Sequence, residues 1–301
     1  MLPKMNDSKL HPVTTYRSIL GEGPVWDSAT KSILWLDIVQ GIIHEYFPAK
    51  EKHSQLSMGE MVGAIALSQN NQLIAALQSG FAFIERKNGM IRRIQDPEAH
   101  LPENRFNDGK CDPAGRFWAG TMALDEAADA GNLYMLDQHL QVTIKISNVS
   151  VSNGMAWRAD ESTFYYIDSP TRQVVAYDFE RTSGTLSNRR VVITIPEGEG
   201  FPDGMTIDTE DKLWIAHWGG WQVSRWDPDT GEKLLQIDLP VAKVTSCVFG
   251  GPTLQDLYIT TAIIGLDDMD LQKQPLAGQL FVWKRTGYQG QEADRFHITT
   301  G

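Results

Sequence analysis

A pair of apolar or aromatic residues within a strand-like run recurs six times along the chain: Leu34-Trp35, Leu73-Ile74, Phe117-Trp118, Phe164-Tyr165, Leu213-Trp214 and Leu257-Tyr258. Successive pairs lie 39, 44, 47, 49 and 44 residues apart. Five of the six follow a turn-like cluster, among them Asp112-Pro113-Ala114-Gly115 and Asp208-Thr209-Glu210-Asp211. One small sheet cannot bury both of its faces alone, so self-similarity at this period predicts sheets ranged side by side in a ring. Six repeats predict an all-β, six-bladed β-propeller spanning residues 16–301 as one domain, behind an N-terminal extension of residues 1–15. An ordinary β-sandwich with turns at unrelated spacing is the competing architecture.

The polar residues upstream of the pairs argue against the sandwich. Ten to twelve residues before four of the pairs stand Glu22, Asn107, Asn153 and Asp203, oxygen-bearing side chains at one place in four repeats. In a radial array equivalent positions converge at one end of the central channel. The second and sixth repeats carry Met61-Val62-Gly63 and Ser246-Cys247 at that place, a less polar wall. Short strands run almost throughout, as in Lys31–Ile38 and Gly41–Tyr46, and helix is nearly absent. A propeller must join its first and last blades, so Phe281-Val282-Trp283 is expected to pair with N-terminal strands.

The chain has a formal net charge of −11, which disfavours nucleic acid and anionic membranes, because neutralising phosphate needs clustered Lys and Arg. A neutral small molecule or a cation suits it better. No run approaches the ~20 apolar residues of a membrane span, and Met1 to Pro12 lack the apolar stretch of a secretory signal, so a cytoplasmic location is expected. Cys111 and Cys247 have no metal-site spacing and are expected to be reduced, packed thiols.

Glu22, Asn153 and Asp203 offer two carboxylates and an amide carbonyl, an all-oxygen set suited to a hard divalent cation in the channel. Ca²⁺, Mg²⁺ and Mn²⁺ all fit, and Zn²⁺ also accepts carboxylates. Three protein ligands leave positions for water and substrate, the pattern of a catalytic site. Asp203, in Phe201-Pro202-Asp203-Gly204-Met205, reads as a turn residue at a loop mouth, where it is the candidate general base. Glu22, in Gly21-Glu22-Gly23-Pro24, is the candidate firm ligand. Arg105 and Asn107 bring fixed donors and an acceptor suited to a polyhydroxylated ligand, while a surface ion pair is the plainer reading of Arg105. Asp125 either reaches substrate hydroxyls or is a solvated loop acid. In His217-Trp218-Gly219-Gly220-Trp221 the aromatics either stack on a sugar face or serve packing, and His217 has no partner at ligand spacing.

Four motifs together, Gly21-Glu22-Gly23-Pro24-Val25-Trp26, Asn104 to Lys110, Ser152 to Trp157 and Phe201 to Met205, give the chain a resemblance to the regucalcin (senescence marker protein) and gluconolactonase family, spanning about Tyr16 to Trp283. The resemblance implies a six-bladed propeller, one divalent metal in the channel and hydrolysis of a sugar lactone to its aldonic acid. It places the metal ligands on Glu22, Asn153 and Asp203, the general base on Asp203 and substrate contacts on Arg105 and Asn107. An acidic contact that is Glu in animal members falls near Asp125. The stretch around His217 is more similar to bacterial sugar lactonases, which implies a role in pentose or hexose catabolism. A calcium-binding regulatory protein without turnover, and a related esterase or phosphotriesterase, are the alternatives on the same residues.

Overall fold

The computed structural model describes residues 9–299. They form six four-stranded antiparallel sheets, the six-bladed β-propeller expected from the repeat. Blade 1 is Gly21–Asp27, Ser32–Asp37, Ile42–Phe47 and Lys52–Ser57. Blade 2 is Val62–Leu67, Gln72–Leu77, Gly80–Glu85 and Ile91–Gln95, and blade 3 is Asn104–Cys111, Phe117–Ala123, Gly131–Leu136 and Val142–Val149. Blade 4 is Ser152–Trp157, Thr163–Asp168, Gln173–Glu180 and Thr185–Thr194, and blade 5 is Phe201–Ile207, Leu213–Trp218, Gln222–Asp227 and Glu232–Asp238. Blade 6 is Val244–Gly250, Asp256–Thr261 and Phe281–Trp283, completed by Leu10–Pro12. Asp268–Lys273, N-capped by the Asp267 carboxylate, is the one α-helix among the described residues.

Each of the six apolar pairs lies on the second strand of its blade. These strands are covered on both faces by neighbouring blades, which is why they read as continuous apolar runs without a polar alternate. Trp35, Trp118 and Trp214 are fully buried there. The core is accordingly divided into six clusters, one in each crevice between successive blades, the last joining Trp26 and Trp35 of blade 1 to Tyr258 and Val282 of blade 6.

Closure of the ring is made by backbone hydrogen bonds. Leu10, His11 and Pro12 pair in register with Trp283, Val282 and Phe281, so the expected partnership of Phe281-Val282-Trp283 with an N-terminal strand is present. Part of the stretch assigned from sequence to an extension is therefore the outer strand of blade 6. A three-residue strand containing proline has no periodicity to reveal it, and proline is tolerated at a sheet edge.

The first strands of the blades neighbour one another in a closed cycle around the axis. Every one of them breaks register with its second strand, between Glu22 and Val25, Val62 and Ala64, Phe106 and Asp108, Ser152 and Met155, Pro202 and Met205, and Val244 and Ser246. Such bulges bend a strand and re-aim the residues they leave unpaired. They also bring backbones of adjacent blades close together. A methyl group added at Gly63 would lie 2.2 Å from the Phe106 carbonyl oxygen of the next blade, and one at Gly154 would lie 2.7 Å from the Asp203 carbonyl oxygen.

The chain beyond Trp283 crosses the mouth formed where the first strands end. Gly290 N–H donates to Leu254 O at 2.8 Å, Phe296 N–H to Leu67 O at 2.8 Å and His297 N–H to Gly115 O at 3.0 Å. Arg295 adds an ion pair to Asp27 at 2.7 Å. The opposite mouth, where the first strands begin, stays open.

The close approach at Gly63 makes a direct prediction. Gly63→Ala should destabilise the protein by about 1–3 kcal/mol through overpacking against rigid backbone, read as a fall in urea midpoint at unchanged m-value. A midpoint equal to the parent's would show that the blades are not held at the contact described.

Candidate functional site

Four bulges deliver the four upstream polar residues to the channel. Glu22, Asn107, Asn153 and Asp203 come from the first strands of blades 1, 3, 4 and 5, each at or beside the break in register, and are 4% to 7% exposed. All four line one cavity of about 560 Å³ at the open mouth, together with Arg105 and Glu126. A volume of this order suits a ligand the size of a small sugar.

Asp203 is not on the turn that its Pro-Asp-Gly setting suggests. Phe201–Ile207 is a strand: Pro202 pairs with His217 and Met205 with Ile215, leaving Asp203 and Gly204 as the bulge. The residue types that make turns also make bulges, since Pro needs no ladder hydrogen bond and Gly permits close approach. In blade 1 the same device uses Gly23, in the left-handed region at φ 52°, whose N–H donates to Glu22 Oε2 at 2.9 Å.

The charges in this cavity do not balance. Burial first, then repulsion from Asp203 and Asp108, pushes the Glu22 carboxyl well above its ordinary range. Burial and Asp108 do the same to Asp203, against the pull of the Gly204 N–H, of Arg105 and of a hydrogen bond from the Asn153 side chain. Asp108 is itself raised by burial and faces the half-buried Lys110, whose ammonium donates to Met205 O at 2.9 Å. Next to the two carboxylates Asn153 donates through Nδ2 to Ser169 Oγ at 2.9 Å, while its Oδ1 is buried with no hydrogen-bond partner. Two buried carboxylates held above their ordinary range and an unpartnered amide oxygen form a donor set that a hard cation would satisfy. Among the described residues no three His, Cys, Asp or Glu side chains gather as a metal cluster, so the third ligand would have to be this amide.

Arg105 donates through Nη1 to Asn107 Oδ1 at 2.7 Å and to Phe106 O at 3.0 Å, and burial lowers it to about 10. Asn107 Nδ2 donates to Ser152 O at 2.8 Å. Asn107 thus serves to lock the guanidinium as well as to line the cavity, and Arg105 is no surface ion pair.

Asp125 does not line the cavity. It is exposed, and its Oδ1 accepts the Ala127 N–H at 3.1 Å in a local turn. Glu126, whose left-handed backbone at φ 59° redirects the chain, lines the cavity in its place. His217 is a satisfied core residue: Nδ1 lies 2.8 Å from Glu199 O, Nε2 lies 2.5 Å from Ser224 Oγ, and burial lowers it to about 4. Its neighbour Trp218 does line the cavity, with Lys243 Nζ 4.5 Å above its ring. Glu126, Ser169 and Lys243 are cavity residues that the repeat alignment leaves out, because they sit outside the first strands. The two cysteines are unpaired and buried, with thiols pushed up by burial, Cys247 to about 12. Among the described residues no helix is long and apolar enough to cross a membrane.

Residues 20–263 match the family model described as "SMP-30/Gluconolactonase/LRE-like region". Regucalcin of Danio rerio is 39% identical over 288 residues, covering 95% of this chain and 97% of its own. The Bacillus subtilis protein named "Putative sugar lactone lactonase YvrE" is 36% identical over 265 residues, covering 88% of this chain and 91% of its own. Among solved structures, a calcium-binding protein, regucalcin, from Agrobacterium tumefaciens strain C58 superposes with a TM-score of 0.91 at 26% identity, over 95% of this chain and 97% of that one.

The unbalanced carboxylates should be visible in stability. A raised carboxyl pKa contributes stability that is complete below its ordinary value, 4.5 for Glu22, and is lost as pH rises through the folded-state value. In chelator, Glu22→Gln should therefore be more stable than the parent by about 1–2 kcal/mol at pH 8, with the gap closing towards pH 5. Urea titrations at the two pH values check this, and a variant weaker than the parent at pH 8 would contradict it.

Proposed function

The chain belongs to the SMP-30/gluconolactonase/LRE-like family, and from that premise we propose that it is a divalent-metal-dependent lactone hydrolase acting on a sugar lactone. The single observation that carries the metal dependence is the unpartnered Asn153 Oδ1 beside two buried carboxylates. Glu22, Asn153 and Asp203 would hold the cation, which when bound would supply Lewis-acid activation of the lactone carbonyl. The all-oxygen set suits Ca²⁺, Mg²⁺ or Mn²⁺, and Zn²⁺ remains within reach of the carboxylates.

Asp203 acts as the general base, accepting a proton from the water that attacks the lactone carbonyl. As the ring C–O bond breaks, the proton taken up by Asp203 passes to the departing ring oxygen, and the new carboxyl group loses its own proton to solvent, leaving a carboxylate and a free hydroxyl on one aldonic acid. Arg105, held in place by Asn107, donates to the substrate's oxygens. Glu126 accepts from its hydroxyls, and Trp218 offers a flat face to the ring. A gluconolactone-, galactonolactone- or arabinolactone-like substrate fits a cavity of about 560 Å³. The unpaired, buried cysteines accord with a reducing compartment such as the cytoplasm.

Calcium binding without turnover is the second reading, favoured by the description of the Agrobacterium relative as a calcium-binding protein. The deciding experiment is acid release from five- and six-carbon aldonolactones, an aryl ester and a phosphotriester, using metal-stripped protein with single cations restored. Cation-dependent acid release from a lactone is expected. Cation binding without any release would move the assignment to the second reading, and preference for the ester or phosphotriester would move it to a related hydrolase.

Two variants test the residue roles. Asp203→Asn should lower kcat by about 10²- to 10⁴-fold with unfolding unchanged or improved. Glu126→Ala should raise KM by about 10-fold or more through loss of a charged hydrogen bond, whereas Asp125→Ala should stay within about twofold. The reverse ranking at 125 and 126 would refute the placement of the acidic contact.

A further inference from the structure

We infer that Ser169 is a positioning residue that decides which end of the Asn153 amide faces the cavity. The inference rests on the reading of Glu22, Asn153 and Asp203 as cation ligands and concerns how one of them is made competent. The two ends of an asparagine amide are nearly the same size and opposite in character: the oxygen can serve a cation, the NH₂ repels one. The Asn153 side chain also hydrogen-bonds Asp203 and helps hold that carboxylate down, so Asp203 and the hydroxyl of Ser169 both act on the same NH₂.

Counting protons shows which end of the amide Ser169 takes. Ser169 Oγ lies 2.6 Å from the Pro202 carbonyl oxygen and 2.9 Å from Asn153 Nδ2. A carbonyl oxygen only accepts, so the single hydroxyl hydrogen of Ser169 is committed to Pro202. The serine oxygen is then left to accept, and only the NH₂ end of Asn153 can donate to it. Asn153 Oδ1 is thereby forced to the other side, where it is buried and unpartnered. The orientation follows from the chemistry of the three groups.

Ser169 stands in the short 3₁₀ turn Ser169–Thr171 that follows the second strand of blade 4, and it is 9% exposed. Its acceptor, Pro202, immediately precedes Asp203 on the first strand of blade 5. One hydroxyl therefore sets the direction of a ligand on blade 4 and ties down the strand carrying a ligand on blade 5. Groups that orient metal ligands from behind typically alter affinity by about 10- to 100-fold when removed.

The test uses metal-stripped full-length protein titrated calorimetrically with Ca²⁺ and, separately, with Mn²⁺, together with urea unfolding in chelator. Ser169→Thr and Ser169→Val have nearly equal bulk and differ in the hydroxyl, so their comparison cancels steric effects. Ser169→Thr should bind within about threefold of the parent, and Ser169→Val and Ser169→Ala should bind about 10- to 100-fold more weakly. Equal affinity in the Thr and Val variants overturns the inference, even where Val lowers the unfolding midpoint, because that is the signature of a purely structural hydroxyl. If the parent itself takes up neither cation, the ligand reading falls and the inference with it.

Discussion

Six strands meeting around one axis leave no room for side chains where their backbones touch, and most of what is particular to this chain follows from that crowding. At the contact between blades 2 and 3, and again between blades 4 and 5, a glycine faces neighbouring backbone at a distance no Cβ tolerates. The bulges belong to the same constraint. A straight ladder would send alternate side chains into the adjoining crevices, whereas a break in each ladder turns a residue towards the axis. The lumen is thus furnished by the irregular residues of otherwise regular sheets.

What those residues bring is polarity that the surrounding protein does not neutralise. Around the axis, Glu22, Asp108 and Asp203 face Arg105 and Lys110, and Nη1 of Arg105 is taken by Asn107 Oδ1 and Phe106 O. By contrast the ion pairs at the far ends of the first strands are well matched: Arg116 sits on Asp112 and Arg225 on Asp208, with Trp118 and Trp214 indoles donating to the same carboxylates. The same fold therefore satisfies Asp112 and Asp208 at one mouth and leaves Glu22 and Asp203 unsatisfied at the other. Sites kept in an unfavourable state by the rest of a structure are commonly sites of function.

The ring and its lining were legible because both repeat. Leu34-Trp35 and its five counterparts are strand-like at spacings of 39 to 49 residues, and Glu22, Asn107, Asn153 and Asp203 stand 10 to 12 residues ahead of four of them. Features that occur once were harder to read. Pro202-Asp203-Gly204 suits a turn and a bulge equally, and only the pairing of Pro202 with His217 decides between them. Asp125 and Glu126 are separated by one position, and which of them faces inward depends on a left-handed backbone that glutamate seldom adopts. Ser169 acts on residues 16 and 33 positions away. No local pattern carries such a relation.

The pairing of Leu10–Pro12 with Phe281–Trp283 also sets a schedule. A ribosome adds about 5–20 residues each second, so Leu10–Pro12 waits roughly 15–55 s before its partner exists. Throughout that interval blades 1 to 5 can form one after another from local contacts, while the seam between first and last blade stays unsealed. Of the seven buried residues in the cluster that holds Trp26, Trp35 and Tyr258, only Trp26, Ile33 and Trp35 come from blade 1. The nascent chain therefore passes through an open arc with one apolar flank uncovered, and the segment that crosses the far mouth follows the blades it ties together.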